Sequence, residues 1–301
     1  MIKNKFKKLI NKLLSAINLK IIKLNVFDPH DFTNIKINPL TAQYLSGYRP
    51  MVINISLKNG RTSNWFEMSD ESLDPAIFAI KNALKKDLEG EDLYKDILNT
   101  LKENHSLMKC KNASHSLNIE SNDDEDIKKY PWWAIVHPWD DYTFEDKIKN
   151  YPYDIKRNRE KNGMHIASSD PNIIIKENYE NSWPSHAKQY VNLINKIKEH
   201  GFQYGSEYGY VSAEIFIEKN KLCWKPGAEG NHRMAVAAAL GFKNIPVLVT
   251  KIIRLDELEY WPNVVKGLFS KDQAKKIFFD IFNAKPQKIN EDWVKKLLNK
   301  N

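Results

Sequence analysis

The chain has 301 residues, 42% of them apolar and 28% charged, which is enough to build a hydrophobic core in one or two domains. Its formal charge of +8 is local: residues 1–25 hold seven lysines and no acid, so the remainder is close to neutral, which argues against a broad nucleic-acid footprint. With only Cys110 and Cys223 there is no disulfide framework and no Cys/His zinc pattern, no apolar run is long enough to cross a bilayer, and a reducing cytoplasm is the expected compartment.

Taken in chain order, residues 1–25 predict a basic amphipathic helix. Ile2, Phe6, Leu9, Ile10, Leu13, Leu14 and Ile17 recur at helical spacing, with Lys3, Lys5, Lys7, Lys8 and Lys12 on the other face. Two readings stay open for it: peripheral attachment to an anionic membrane surface, or docking on its own domain or a partner. Residues 26–108 read as an accessory α+β region. Segments 52–57 and 62–68 flank Asn59-Gly60, a hairpin turn signal. Asp74-Pro75 then opens a helix to about Leu88, and Leu93, Ile97, Leu98 and Leu101 mark another. Residues 109–129, rich in Ser, Asn and Asp, read as a polar linker.

From 130 to 254 the composition is that of a mixed α/β domain. Arg157 and Arg159 fall in a polar stretch read as a loop, and 185–202 as a helix stopped by Gly201. Residues 213–224 alternate well enough for one strand, broken by Pro226-Gly227. Met234 to Leu240 is a run of helix formers stopped by Gly241, and 245–253 is a β-branched run expected to return to the same sheet. Glu229-Gly230-Asn231-His232 therefore falls at a helix N-terminus, where unpaired N–H groups and the helix dipole attract anions. Gly230 lets backbone approach a ligand, and Arg233 offers a planar fork for phosphate oxygens. The plainer alternative makes Gly230 a turn glycine, His232 a cap and Arg233 a surface charge. Residues 255–301 read as C-terminal packing helices, one opened by a Ser270/Gln273 capping box and the last beginning at Asn290.

The run Glu229-Gly-Asn-His-Arg-Met-Ala-Val-Ala-Ala-Ala-Leu-Gly241, followed three residues later by Ile245-Pro-Val, resembles the signature of the ParB/sulfiredoxin-like superfamily. The 185–202 segment is similar to the family helix that precedes it. The resemblance implies a nucleotide-binding domain over 130–254, with Gly230, Asn231, His232 and Arg233 on the phosphates. It implies an opening strand near 133–136, and a carboxylate from Glu229 or the Asp140, Asp141, Glu145, Asp146 group as metal ligand or base. Sulfiredoxins carry a cysteine where this chain has Asn231, and the chain ends without the DNA-binding helices of partition ParB proteins. The order acid, Gly, spacer, His, Arg is closest to the free serine kinase branch, with Glu229 in place of the usual Asp. The implied activity is ATP- and Mg²⁺-dependent phosphoryl transfer to a hydroxyl of a small molecule or glycan precursor, with Glu229, His232 and Glu145 as catalytic candidates and Glu229 on the metal. The competing implication is a nucleotide-dependent switch of ParB type without catalysis. No nucleic-acid partner is expected.

Overall fold

The computed structural model describes residues 28–109, 111–119, 125–161 and 168–299. The helix expected at 1–25 lies outside them. The described chain is mixed α/β, built on a five-stranded sheet in the order β1-β2-β5-β3-β4: β1 His30–Asp31, β2 Met51–Ser56, β3 Ser212–Glu218, β4 Lys221–Pro226 and β5 Asn244–Arg254. The principal helices are α1 Pro39–Leu45, α2 Pro75–Lys85, α3 Gly90–Leu107, α4 Phe144–Lys161, α5 Pro171–His200, α6 Asn231–Ala239, α7 Lys271–Phe282 and α8 Glu291–Leu298. Among the described residues, no helix is long and apolar enough to cross a membrane.

Each face of the sheet covers its own core. Along β3, Ala213, Ile215 and Ile217 face one core with α2, α3, α5 and α6, while Phe216 faces a second with Trp139, Trp261 and Phe278. Successive strand side chains point to opposite faces, so a strand buried on both sides is apolar throughout. β5 sits between β2, to which it runs antiparallel, and β3, to which it runs parallel. The region read as accessory therefore contributes a strand to the same sheet as the strands that flank residues 227–243. Trp224 of β4 reinforces this, its Nε1 donating to Ser56 O at 2.9 Å.

Several expectations are corrected. Residues 213–224 form not one strand but the β3/β4 hairpin, turned at Lys219, whose φ of 54° lets the chain reverse without a glycine. Asn59-Gly60 closes no hairpin: Leu57–Asn59 is a single 3₁₀ turn, and Gly60 bridges to Trp224 instead. A Cβ there would come within 2.6 Å of Met68 Sδ, so the glycine serves close packing against β4's tryptophan. Residues 133–136 are irregular. Pro131 and Pro138 bracket the run, and its buried Trp133, Ala134 and Val136 fill the second core without joining a ladder. Arg157 and Arg159 lie within helix α4, which runs on through Pro152; Arg159 Nη1 donates to Glu177 O at 3.2 Å and Arg157 pairs with Asp154 at 3.0 Å.

In the stretch read as a polar linker, Ala113, Leu117, Ile119 and Ile127 are buried in the second core. Its polar residues bond inward. Asn118 Nδ2 donates to Asp280 and to Pro286 O, and its Oδ1 accepts from Lys288 N at 2.7 Å. The helical expectations stand: Asp74 caps α2, the Ser270/Gln273 box caps α7, and α8 follows Asn290.

Candidate functional site

β4 delivers the chain to a turn whose backbone is fixed by one side chain. Ser212 N and Oγ both donate to Glu229 O, at 3.1 and 3.3 Å, and Glu229 N donates to Ser212 Oγ at 2.9 Å. Gly230 then takes φ 86° as N-cap of α6. A Cβ on it would sit 2.6 Å from Val211 Cα, so both conformation and space require glycine. Having no side chain, Gly230 cannot cap the helix, and no side-chain cap bond is made at this N-terminus. Asn231 is the first residue of that turn, its Oδ1 accepting from Ser63 Oγ at 3.0 Å.

Asn231 lines a cavity of about 550 Å³, within the range of small-molecule sites. The cavity is also lined by Lys147 from α4, His186 and Tyr190 from α5, Asp74 from the α2 cap and Asn104 from α3. Lys147 rests over the Tyr151 ring, 4.2 Å from its centroid, and burial lowers its pKa. Asp74 is fully enclosed and accepts from Ala76 N and Ile77 N at 3.0 and 3.3 Å; burial outweighs these bonds and raises its pKa.

His232 stands behind His186, its Nε2 2.7 Å from His186 Nδ1. Burial first, and then the charge His186 would carry, hold His232 down to about 4; burial lowers His186 as well. The pair is therefore neutral at neutral pH, one imidazole donating and the other accepting.

The other residues of the motif point elsewhere. The Arg233 guanidinium donates through Nη1 to Tyr208 O and Gly209 O at 3.0 Å each and to Gln203 O at 3.4 Å. It lines a separate hollow with Lys196 and His200. Glu229 is exposed on the turn. Glu145, in the first turn of α4, accepts a hydrogen bond from Tyr130 and is exposed; that bond lowers its pKa. Lys147, two positions on, and Tyr151 are the α4 residues that line the cavity.

Asp140 belongs to a different cluster. Burial opposes its charge, but His137, through hydrogen bonds and charge, and then Lys251 outweigh it and hold the carboxyl below the ordinary range. His137 N donates to it at 2.8 Å and Lys251 Nζ at 3.4 Å, so it clamps the 137–140 turn to β5. Cys223 is buried and burial pushes its thiol up to about 12, which excludes a reactive thiolate there.

Of the residues singled out in the motif, Asn231 lines the cavity and His232 contacts it through His186, 46 positions away, while His186, Lys147 and Asn104 carry no sequence signal. No protein-family model, no curated protein and no solved structure matches this chain.

Proposed function

We propose that the chain has a ParB/sulfiredoxin-like core and is a nucleotide-dependent phosphotransferase acting on a hydroxyl-bearing small molecule. The observation that carries this reading is the meeting, on one cavity, of the uncapped N-terminus of α6 at Asn231, the ammonium of Lys147 and the neutral imidazole of His186. Phosphoryl transfer asks of a protein mainly positioning and charge neutralisation. The α6 N–H groups and Lys147 supply donors and charge for phosphate oxygens. With His186 Nδ1 donating to His232 Nε2, His186 Nε2 is left as an acceptor able to take the proton from the attacking hydroxyl. The acceptor oxygen bonds to the terminal phosphorus of ATP, ADP leaves, and the proton ends on His186. His232 acts by fixing the tautomer.

Among the described residues no group of three His, Cys, Asp or Glu is placed to hold a metal. Mg²⁺ bound to the phosphates would neutralise their charge; Glu229, expected on the metal, is exposed on the turn and outside the cavity lining, whereas the Asp74 carboxyl lines it. We place the protein in the cytoplasm, with residues 1–25 touching an anionic membrane surface.

A second reading, a nucleotide switch without chemistry, is favoured by Arg233. Its bonds to the 203–209 carbonyls tie the first turn of α6 to a surface loop, so occupancy at α6 would reach that loop.

The test is a thermal-shift panel of ATP, ADP, CTP and GTP with Mg²⁺, since a ligand of the folded state raises Tm. One nucleotide is expected to do so, with Lys147→Met reducing the shift. His186→Gln is expected to keep the shift and to lower turnover by roughly 10²–10⁴-fold. If no nucleotide moves Tm, the reading fails; if wild type binds but never turns over, the switch reading replaces it.

A further inference from the structure

Two helices that line the main cavity carry buried side-chain donors for which the described residues offer no acceptor. Asn104 of α3 is 4% exposed and lines the cavity, yet its Nδ2 has no partner among the described residues. Nε1 of Trp183, from α5, is likewise buried and unpartnered on the same cavity. Leaving such donors unpaired costs a folded protein stability, so each calls for an acceptor.

The surroundings narrow what that acceptor belongs to. Trp132, Trp133 and Tyr179 form a wall shared with an adjoining chamber of about 390 Å³. His105 lines that chamber, and its buried Nδ1 is also without a partner among the described residues. The same cavity is lined by the carboxamide residues Asn64 and Asn178 and by Asp74, whose carboxyl accepts from the first turn of α2. An acyl chain would leave Asn104 Nδ2 and Trp183 Nε1 without an acceptor. A nucleobase would stack on the rings but offers few edge groups for so many donors and acceptors. A sugar has apolar C–H faces that lie on aromatic planes and a rim of hydroxyls that both donate and accept.

We propose that the acceptor is a saccharide, its ring against the Trp132/Trp133 wall and its hydroxyl oxygens accepting from Asn104 Nδ2 and Trp183 Nε1. Its role as acceptor rests on the phosphotransferase reading; its binding does not. A site built to hydrogen-bond hydroxyls discriminates strongly against analogues lacking them, so these donors also set specificity.

The experiment titrates the 301-residue chain with glucose, galactose, N-acetylglucosamine, adenosine and glycerol, read by saturation-transfer NMR and calorimetry without nucleotide. At least one of the three sugars is expected to saturate while adenosine and glycerol do not. Asn104→Leu and Trp183→Phe are each expected to weaken that sugar by about tenfold, the loss of one hydrogen bond, while the ATP-induced Tm shift is kept. Trp183→Phe retains an aromatic ring and its packing, so it guards against misfolding of the other variant. Saturation by adenosine, or no sugar binding up to solubility, overturns the proposal, as does wild-type sugar affinity in Trp183→Phe. Sugar binding without any nucleotide shift leaves this inference standing and removes the phosphotransferase reading; the converse removes this inference alone.

Discussion

An imidazole enclosed at a helix N-terminus is disfavoured as a cation three times over: it loses water, it meets the positive end of the dipole, and in His232 it meets a second histidine. Its folded value near 4 lies below the ordinary 6.5. As pH falls, the unfolded chain takes the proton first, so stability rises with pH across this interval. The contribution is complete above about 6.5, is lost as pH falls toward 4, and amounts to at most about 3 kcal/mol. Urea unfolding at pH 7.5 and 4.5 is expected to show His232→Gln losing less stability on acidification than wild type. Equal losses would mean that the pair is hydrated and charged in the folded protein.

At the scale of elements, α6 does two jobs from one turn. Its first residue faces the cavity through Asn231, and its third, Arg233, holds the 203–209 loop through three backbone carbonyls. Hydrogen bonds from a charged donor are worth about 1.5–3 kcal/mol, so Arg233→Ala is expected to lower stability by about 2 kcal/mol. Hydrogen exchange is expected to rise in 203–209 with little change in nucleotide affinity. A large loss of nucleotide affinity with that loop still protected would instead put Arg233 on phosphate, as the family resemblance implies.

For the molecule as a whole, the sheet decides what folds together. β2 pairs with β5 over six residues, and Trp224 of β4 donates to Ser56. A fragment of residues 130–254 would expose that edge of β5 and much of the first core. It is therefore expected to lack cooperative unfolding by circular dichroism, whereas residues 28–301 should keep it. A fragment that unfolds in one sharp transition would show that 26–108 is dispensable for the core.

Elements set by local signals were legible. Asp74-Pro75, the Ser270/Gln273 box and Gly241 fix helix ends through bonds a few residues apart: the first two helices begin as expected, the third stops before Gly241, and the Asp74 helix ends at Lys85, a turn short of Leu88. Gly230 could be placed at a helix start for the same reason. Longer-range features were not legible. Whether 133–136 pairs as a strand depends on a neighbouring edge, and apolar runs look alike in a strand and in a packed loop. Asn118 read as part of a polar linker because its partners, Asp280 and Lys288, lie far along the chain. The same holds for the candidate site. The sequence by itself determined that Asn231 and His232 open a helix behind a turn glycine, because local backbone sterics and helix propensity suffice for that. Only the tertiary structure decided that His186, Lys147 and Asn104 share its cavity while Arg233 turns to a loop, because those contacts arise where α3, α4 and α5 pack around it, and no spacing along the chain encodes packing between distant helices.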